Sequence, residues 1–220
     1  MGQEKTMVER IMTMPSATRI ATQLSEQLAA ERERRNQFYN DISEYEKAEF
    51  INGEVIIHSP VRKEHNDVTG ALFSLMKLYV QKNQRGYVGY EKLMIALTRN
   101  DYEPDLCYFN QEKARQFQPG QTLFPAPDLA VEVLSKSTAT NDRGIKFQDY
   151  QDHGVQEYWL IDADEQYVEQ YRLDEQDEYQ LILKAKAGMI TCSAIEGFSI
   201  PIEAIFDEQK NLEALQKLLE

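Results

Sequence analysis

The run Leu129-Ala130-Val131-Glu132-Val133-Leu134 sets a carboxylate in the middle of a segment apolar enough to be a strand buried on both faces. Side chains alternate along a strand, so Asp128, Ala130, Glu132 and Leu134 share one side, while Leu129, Val131 and Val133 share the other. An isolated buried carboxylate is costly and demands a cationic partner, a metal ion or a proton. A chain that keeps an acid there must build a sheet around it and bring its counter-charge from elsewhere. Asp105 repeats the pattern, following Pro104 at the head of the short apolar segment Leu106-Cys107-Tyr108-Phe109. If the two segments pair, both carboxylates converge on one cation. Two such oxygens with several waters are what Mg²⁺ takes from a protein. The competing reading is structural: Glu132 bonds a lysine or arginine, and Asp105 caps a turn.

The surrounding elements follow from periodicity and turn chemistry. Residues 17–39 lack Gly and Pro, and Ile20, Leu24 and Leu28 recur at helical spacing, which predicts an N-terminal helical arm. Residues 49–58 read as a β-hairpin about Asn52-Gly53. From His65 to Gln81, Val68, Leu72, Met76 and Val80 mark an amphipathic helix. Tyr87–Leu97 and Asp105–Phe109 are β-like, with a turn at Asn100-Asp101 and a polar loop over 110–126. A helix is expected from Asp142 to about His153, ended by Gly154. Strands follow at Tyr158–Asp162, Tyr167–Leu173 and Tyr179–Leu183, then a Leu-rich C-terminal helix. Tyr158 and Trp159 read as core. Alternation of strands and helices gives an α/β or α+β class with a mixed sheet and helices on both faces. The expected division is an arm over 1–44, a domain over 45–206 and a terminal helix over 207–220.

Lys146 falls one turn into the helix after the Glu132 strand and shares a face with Tyr150 and His153. From there a lysine can stabilise charge developing on a phosphate or orient a water. The alternative is an ordinary ion pair with Asp142 at i,i+4, worth about 0.3–0.5 kcal/mol on a surface. Lys136 is nearer in sequence but sits in the polar Ser135-Lys136-Ser137-Thr138 loop. Gly144 either permits a close backbone approach or is a tolerated weak point in the helix.

Composition narrows the function classes. The chain has 220 residues, 42% of them hydrophobic, enough for one core without disulfide or metal staples. Cys107 and Cys192 form no C-x-x-C pair, and His58, His65 and His153 have no zinc-site spacing. P-loop, G-x-G-x-x-G and G-x-S-x-G motifs are absent. The opening residues carry charges where a signal peptide needs an apolar stretch, and no run approaches the ~18 residues of a membrane span. A cytoplasmic protein without membrane contact is expected. The net charge of −13 argues against whole-surface binding to nucleic acid, although the excess of acid is concentrated after residue 154.

Taken together, Glu49 to Glu54, Ser59-Pro60, His65, Pro104-Asp105, the run from Pro127 to Thr138, Asp142 to Lys146, Tyr150 and the run from Gly154 to Asp162 resemble the Uma-two family of restriction-endonuclease-like proteins, within the PD-(D/E)XK nuclease superfamily. The resemblance covers about residues 45–205. It implies a restriction-endonuclease-like core, a central mixed sheet between helices, and an Mg²⁺- or Mn²⁺-dependent site that hydrolyses DNA phosphodiester bonds. Carried over by position, Asp105 and Glu132 become metal ligands and Lys146 the catalytic lysine, with Glu54 and His65 as second-tier members. Leu134 stands where many superfamily members carry lysine, so catalysis would depend on Lys146 reaching the site. Cleavage of both strands implies a homodimer. The alternative, from another class, is a catalytically inactive nuclease-fold domain that binds a protein partner through its acidic surface.

Overall fold

The structure is a computed structural model that describes residues 2–43 and 46–220, with side chains described from residue 7 onward. The boundary expected between arm and domain at residues 44 and 45 lies outside the described residues. Two helices open the chain, α1 (Gly2–Met12) and α2 (Ala17–Asp41). The hairpin β1 (Ala48–Ile51) and β2 (Glu54–Ile57) turns at Asn52 and Gly53, whose φ angles are 52° and 85°. That left-handed pair is the reason Asn-Gly closes tight hairpins. After α3 (Lys63–Lys82) come β3 (Gly86–Tyr90), β4 (Met94–Ala96), β5 (Asp101–Tyr102), β6 (Leu106–Asn110), α4 (Gln111–Ala114), β7 (Leu123–Phe124) and β8 (Leu129–Val133). Then follow α5 (Ala139–Asp142), α6 (Ile145–Asp152), β9 (Glu157–Asp162), β10 (Tyr167–Leu173), β11 (Tyr179–Ala185), β12 (Met189–Thr191), β13 (Ser199–Pro201), a 3₁₀ turn (Ile202–Ile205) and α7 (Glu208–Leu219).

A six-stranded sheet in the order β11-β10-β9-β8-β6-β3 forms the centre. It is mixed: β8 and β9 run parallel, and its other neighbours are antiparallel. One face carries Leu129, Val131, Val133 and Trp159, packed with Val68, Leu72, Leu75 and Met76 of α3 and Ala214 of α7. The other face carries Ala130, Tyr158 and Leu160, packed with Tyr150 of α6 and with Ile95 and Tyr102 of a second sheet. That sheet is five-stranded, in the order β2-β1-β5-β4-β7. The Glu132 strand is therefore covered on both sides, and the class is α+β with mixed sheets flanked by helices.

Several elements differ from the sequence reading. The helix expected over 142–153 is divided into α5 and α6 at Gly144 (φ −116°, ψ −99°), where a Cβ would come within 2.8 Å of the Thr140 carbonyl oxygen. Glycine is there for a close backbone approach, not as a tolerated weakness. The β-like stretch 87–97 divides into β3 and β4 because Glu91 and Lys92 take positive φ values of 41° and 38°. Asp101 lies in β5 and pairs with Phe50, where a turn was expected. Non-local contacts explain this. Asp101 is fully buried, and its carboxylate takes two 2.6 Å hydrogen bonds from Arg35 and one of 2.7 Å from Tyr39, both on α2. Phe38 packs on Phe50 beside them. The C-terminal half of α2 is thus bonded to the second sheet, whereas Leu24 and Leu28 in its first half stay exposed.

Candidate active site

The antiparallel register of β6 and β8, with Leu106 opposite Val131, brings Asp105 opposite Glu132 at the strand ends. Both are buried, and both line a cavity of about 330 Å³. Asp105 Oδ2 accepts the Val133 backbone N–H at 2.8 Å and meets His65 Nε2 at 3.1 Å. Its Oδ1 accepts from Lys47 Nζ at 2.8 Å. His65 comes from the first turn of α3. Lys47 comes from just before β1, where the hairpin pairing continues through the bond from the His58 N–H to the Lys47 carbonyl.

Lys146 closes the deeper side. It is only 2% exposed, and its Nζ lies 2.8 Å from Glu49, 3.0 Å from Glu132 and 3.3 Å from Asp142. The break at Gly144 permits this geometry, because α6 restarts with Lys146 in its first turn, aimed at β8. The Tyr150 hydroxyl, one turn further, donates to Glu132 at 3.4 Å. Glu49 Oε1 also accepts the Glu103 backbone N–H at 2.9 Å. The pairing of Lys146 with Asp142 is real, but it is one arm of a buried cluster rather than a surface bridge.

The electrostatics divide the acids. Burial raises the Glu132 carboxyl well above the usual range; Lys146 offsets part of that, and Asp142, Asp105 and Glu49 add to it by repulsion. Burial pushes Glu49 the same way, but Lys146 and His58 more than reverse it and hold the group at about 2. Burial likewise opposes ionisation of Asp105, yet His65 and Lys47 take it below the ordinary carboxylate range. Both lysines stay protonated: desolvation would discharge Lys146 and Lys47, and the surrounding carboxylates outweigh it.

Of the residues singled out in the sequence, Asp105, Glu132, Lys146 and His65 line one cavity. Glu54 does not. It sits exposed at the turn end of β2, opposite Ile51, four residues from His58 and so about 13 Å along the strand from the cavity rim. On the same hairpin it is Glu49, opposite Ile56, that reaches the cluster, through its ion pair with Lys146. Lys136 is exposed on the rim. Sequence reasoning gave no site role to Lys47, Glu49 or His58, and took Asp142 only as a surface partner of Lys146. The available signal was alternation: Lys47, Glu49 and Ile51 share one face of β1, while Ala48 and Phe50 pack under Phe38 on the other.

Asp105 and Glu132 present a pair of hard oxygen donors that fits a divalent cation completed by water. Among the described residues no group of three or more His, Cys, Asp or Glu side chains forms a metal cage. Four buried polar atoms in and around the cavity have no aligned hydrogen-bond partner: Glu49 Oε2, His58 Nε2, His65 Nδ1 and Asp142 Oδ1. Such atoms are where a site receives a ligand or water.

Glu103, behind Glu49, gives a pH signature. Burial raises its carboxyl to about 7, although the Ala48 N–H it accepts at 3.0 Å favours ionisation. The folded protein then holds a proton that the unfolded chain has lost from about pH 4.5 upward, so this contribution to stability is complete below pH 4.5 and is lost by about pH 8. Glu103→Gln removes that loss. Urea unfolding at pH 5 and pH 8 should show the variant gaining on wild type by on the order of 2–3 kcal/mol across that interval. A constant difference would show that Glu103 is ionised throughout.

Family and fold together place the chain among restriction-endonuclease-like proteins. A solved structure described as "a putative nuclease belonging to DUF820", from Anabaena variabilis, superimposes with a TM-score of 0.67 at 21% identity, over 82% of this chain and 97% of that one. The family model "Uma2: Putative restriction endonuclease" matches residues 33–203, and the chain belongs to that family. Two relatives from Synechocystis sp. (strain PCC 6803) carry only the name "Uncharacterized protein". The protein sll1609 is 34% identical over 129 residues, 58% of this chain and 72% of its own length. The protein slr1290 is 25% identical over 166 residues, 73% of this chain and 84% of its own length. Among the described residues no helix is long and apolar enough to cross a membrane.

Proposed function

We propose that this protein is a divalent-metal-dependent endonuclease that hydrolyses DNA phosphodiester bonds. One observation carries the reading: the β6–β8 register sets Asp105 against Glu132 in a cavity whose floor is the buried Lys146. Asp105 and Glu132 would hold Mg²⁺ or Mn²⁺. When bound, such an ion polarises a phosphoryl oxygen and lowers the pKa of a water. Lys146 supplies a fixed positive charge for the negative charge that develops on the phosphoryl oxygens. His65 orients Asp105, and the Val133 N–H fixes the same carboxylate from the strand. Lys47 neutralises Asp105 until a cation arrives. The family and fold support a nucleic-acid substrate; the overall charge of −13 confines contact to a local face.

The closed lysine–carboxylate pairs favour one second reading, a binding domain that retains the fold without catalysis. Incubation with supercoiled plasmid separates the two. The nuclease converts it to nicked circles in Mg²⁺ or Mn²⁺ and not in chelator, and linear product formed without a nicked intermediate points to two sites acting together, as in a homodimer. A folded, micromolar sample that leaves plasmid intact with both ions supports the binding domain.

A further inference from the structure

We infer that His58 is the general base for the attacking water, with Glu49 as its positioning residue; the inference rests on the nuclease reading above. His58 ends the β1–β2 hairpin, paired through its backbone with Lys47, and so lies diagonally across from Glu49 on the same face. Its Nε2 is 3.0 Å from Glu49 Oε2, a carboxylate 1% exposed. Neither atom has an aligned hydrogen bond, although the two lie within hydrogen-bond distance of each other. Hydrogen bonds of catalytic groups are often loose before substrate arrives. With Nε2 facing Glu49, Nδ1 is the ring nitrogen left for a ligand, and the His58 side chain borders the cavity that Asp105 and Glu132 share.

Of the other basic groups bordering the cavity, Lys47, Lys146, His65 and Arg62 are engaged elsewhere, and Lys136 is exposed on the rim. Lys146 and Lys47 are ion-paired to buried carboxylates and carry no free lone pair. His65 presents Nε2 to Asp105, and its Nδ1 is enclosed away from solvent. His58 alone among them combines a carboxylate behind one nitrogen with a partly open side chain, 14% exposed. A carboxylate behind an imidazole fixes the tautomer and stabilises the imidazolium that forms. In the step, the water oxygen forms the new bond to phosphorus and its proton passes to His58 Nδ1. The ester P–O bond breaks, and its electron pair leaves on the departing alcohol oxygen, which takes a proton from solvent. His58 then releases its proton to solvent.

The test combines rate, rescue and tautomer. In Mn²⁺, His58→Ala should cut plasmid nicking by about 10²-fold or more while keeping the thermal stabilisation by Mn²⁺, and added imidazole should restore part of the rate. In ¹⁵N-labelled wild type without metal, neutral His58 should be the Nε2–H tautomer, and Glu49→Gln should erode that preference. Undiminished cleavage by His58→Ala, a loss that imidazole does not rescue, or an Nδ1–H tautomer overturns this role and leaves the nuclease reading standing. Absence of cleavage by wild type overturns both.

Discussion

Lys146→Met is expected to destabilise the protein by about 3–5 kcal/mol at pH 8, the usual cost of removing one partner from a buried ionic cluster. The methionine fills most of the lysine's volume, so the loss is electrostatic. Glu49, Glu132 and Asp142 then face one another, all buried, without their common cation. Their escape is to bind protons. The folded-state carboxyl values rise above the unfolded ones, so the variant's deficit is largest at high pH and shrinks as the pH falls through them. Urea unfolding at pH 8 and pH 5 reads this directly. A deficit under about 1 kcal/mol at pH 8 would mean that water reaches the cluster and screens it. From sequence alone, this substitution is expected to spare folding and affect only chemistry. The buried cluster makes it a stability variant first, so any loss of cleavage must be judged on the folded fraction.

The second large effect separates the two central acids. Asp105→Asn should cost about 3 kcal/mol, because Lys47 loses the anion that keeps it charged and His65 loses its carboxylate partner. Glu132→Gln should be neutral or stabilising by up to about 2 kcal/mol, since Lys146 keeps Glu49 and Asp142, and a repelling acid is gone. The signs follow from linkage. Asp105, depressed in the folded state, stabilises above its unfolded value and loses that contribution in acid. Glu132, raised, contributes below its unfolded value and loses it as pH rises, so the advantage of the Gln variant grows with pH. Both variants should lose stabilisation by Mn²⁺ entirely. In wild type that stabilisation should be greater at pH 8 than at pH 6, because the ion displaces a proton from Glu132. Parallel stability changes, or intact Mn²⁺ stabilisation in both variants, would make the pair structural.

What the sequence made legible is what depends on short-range alternation. Glu132 stands out because its strand neighbours are apolar on both faces, and Asp105 because Pro104 and a short apolar strand frame it. The stripe of α3 and the Asn-Gly hairpin are equally local. Glu49 was hidden because the hairpin holds two acids, Glu49 and Glu54, and only pairing of β1 with the distant β5 decides which is enclosed. Asp101 looked like a turn residue because its partners, Arg35 and Tyr39, lie more than sixty positions away. The burial of Lys146 could not be read from its i,i+4 spacing to Asp142, which is the same for a surface pair. It depends on the break at Gly144, set by a backbone approach that no periodicity records.

The most direct measurement is anomalous diffraction from crystals of the wild-type protein soaked in Mn²⁺. A peak bonded to the carboxylates of both Asp105 and Glu132, with the Lys47 ammonium withdrawn from Asp105, is the predicted result. A map with manganese elsewhere, or none, while Lys47 and Lys146 remain closed on these two acids, would contradict a metal-dependent nuclease site between β6 and β8.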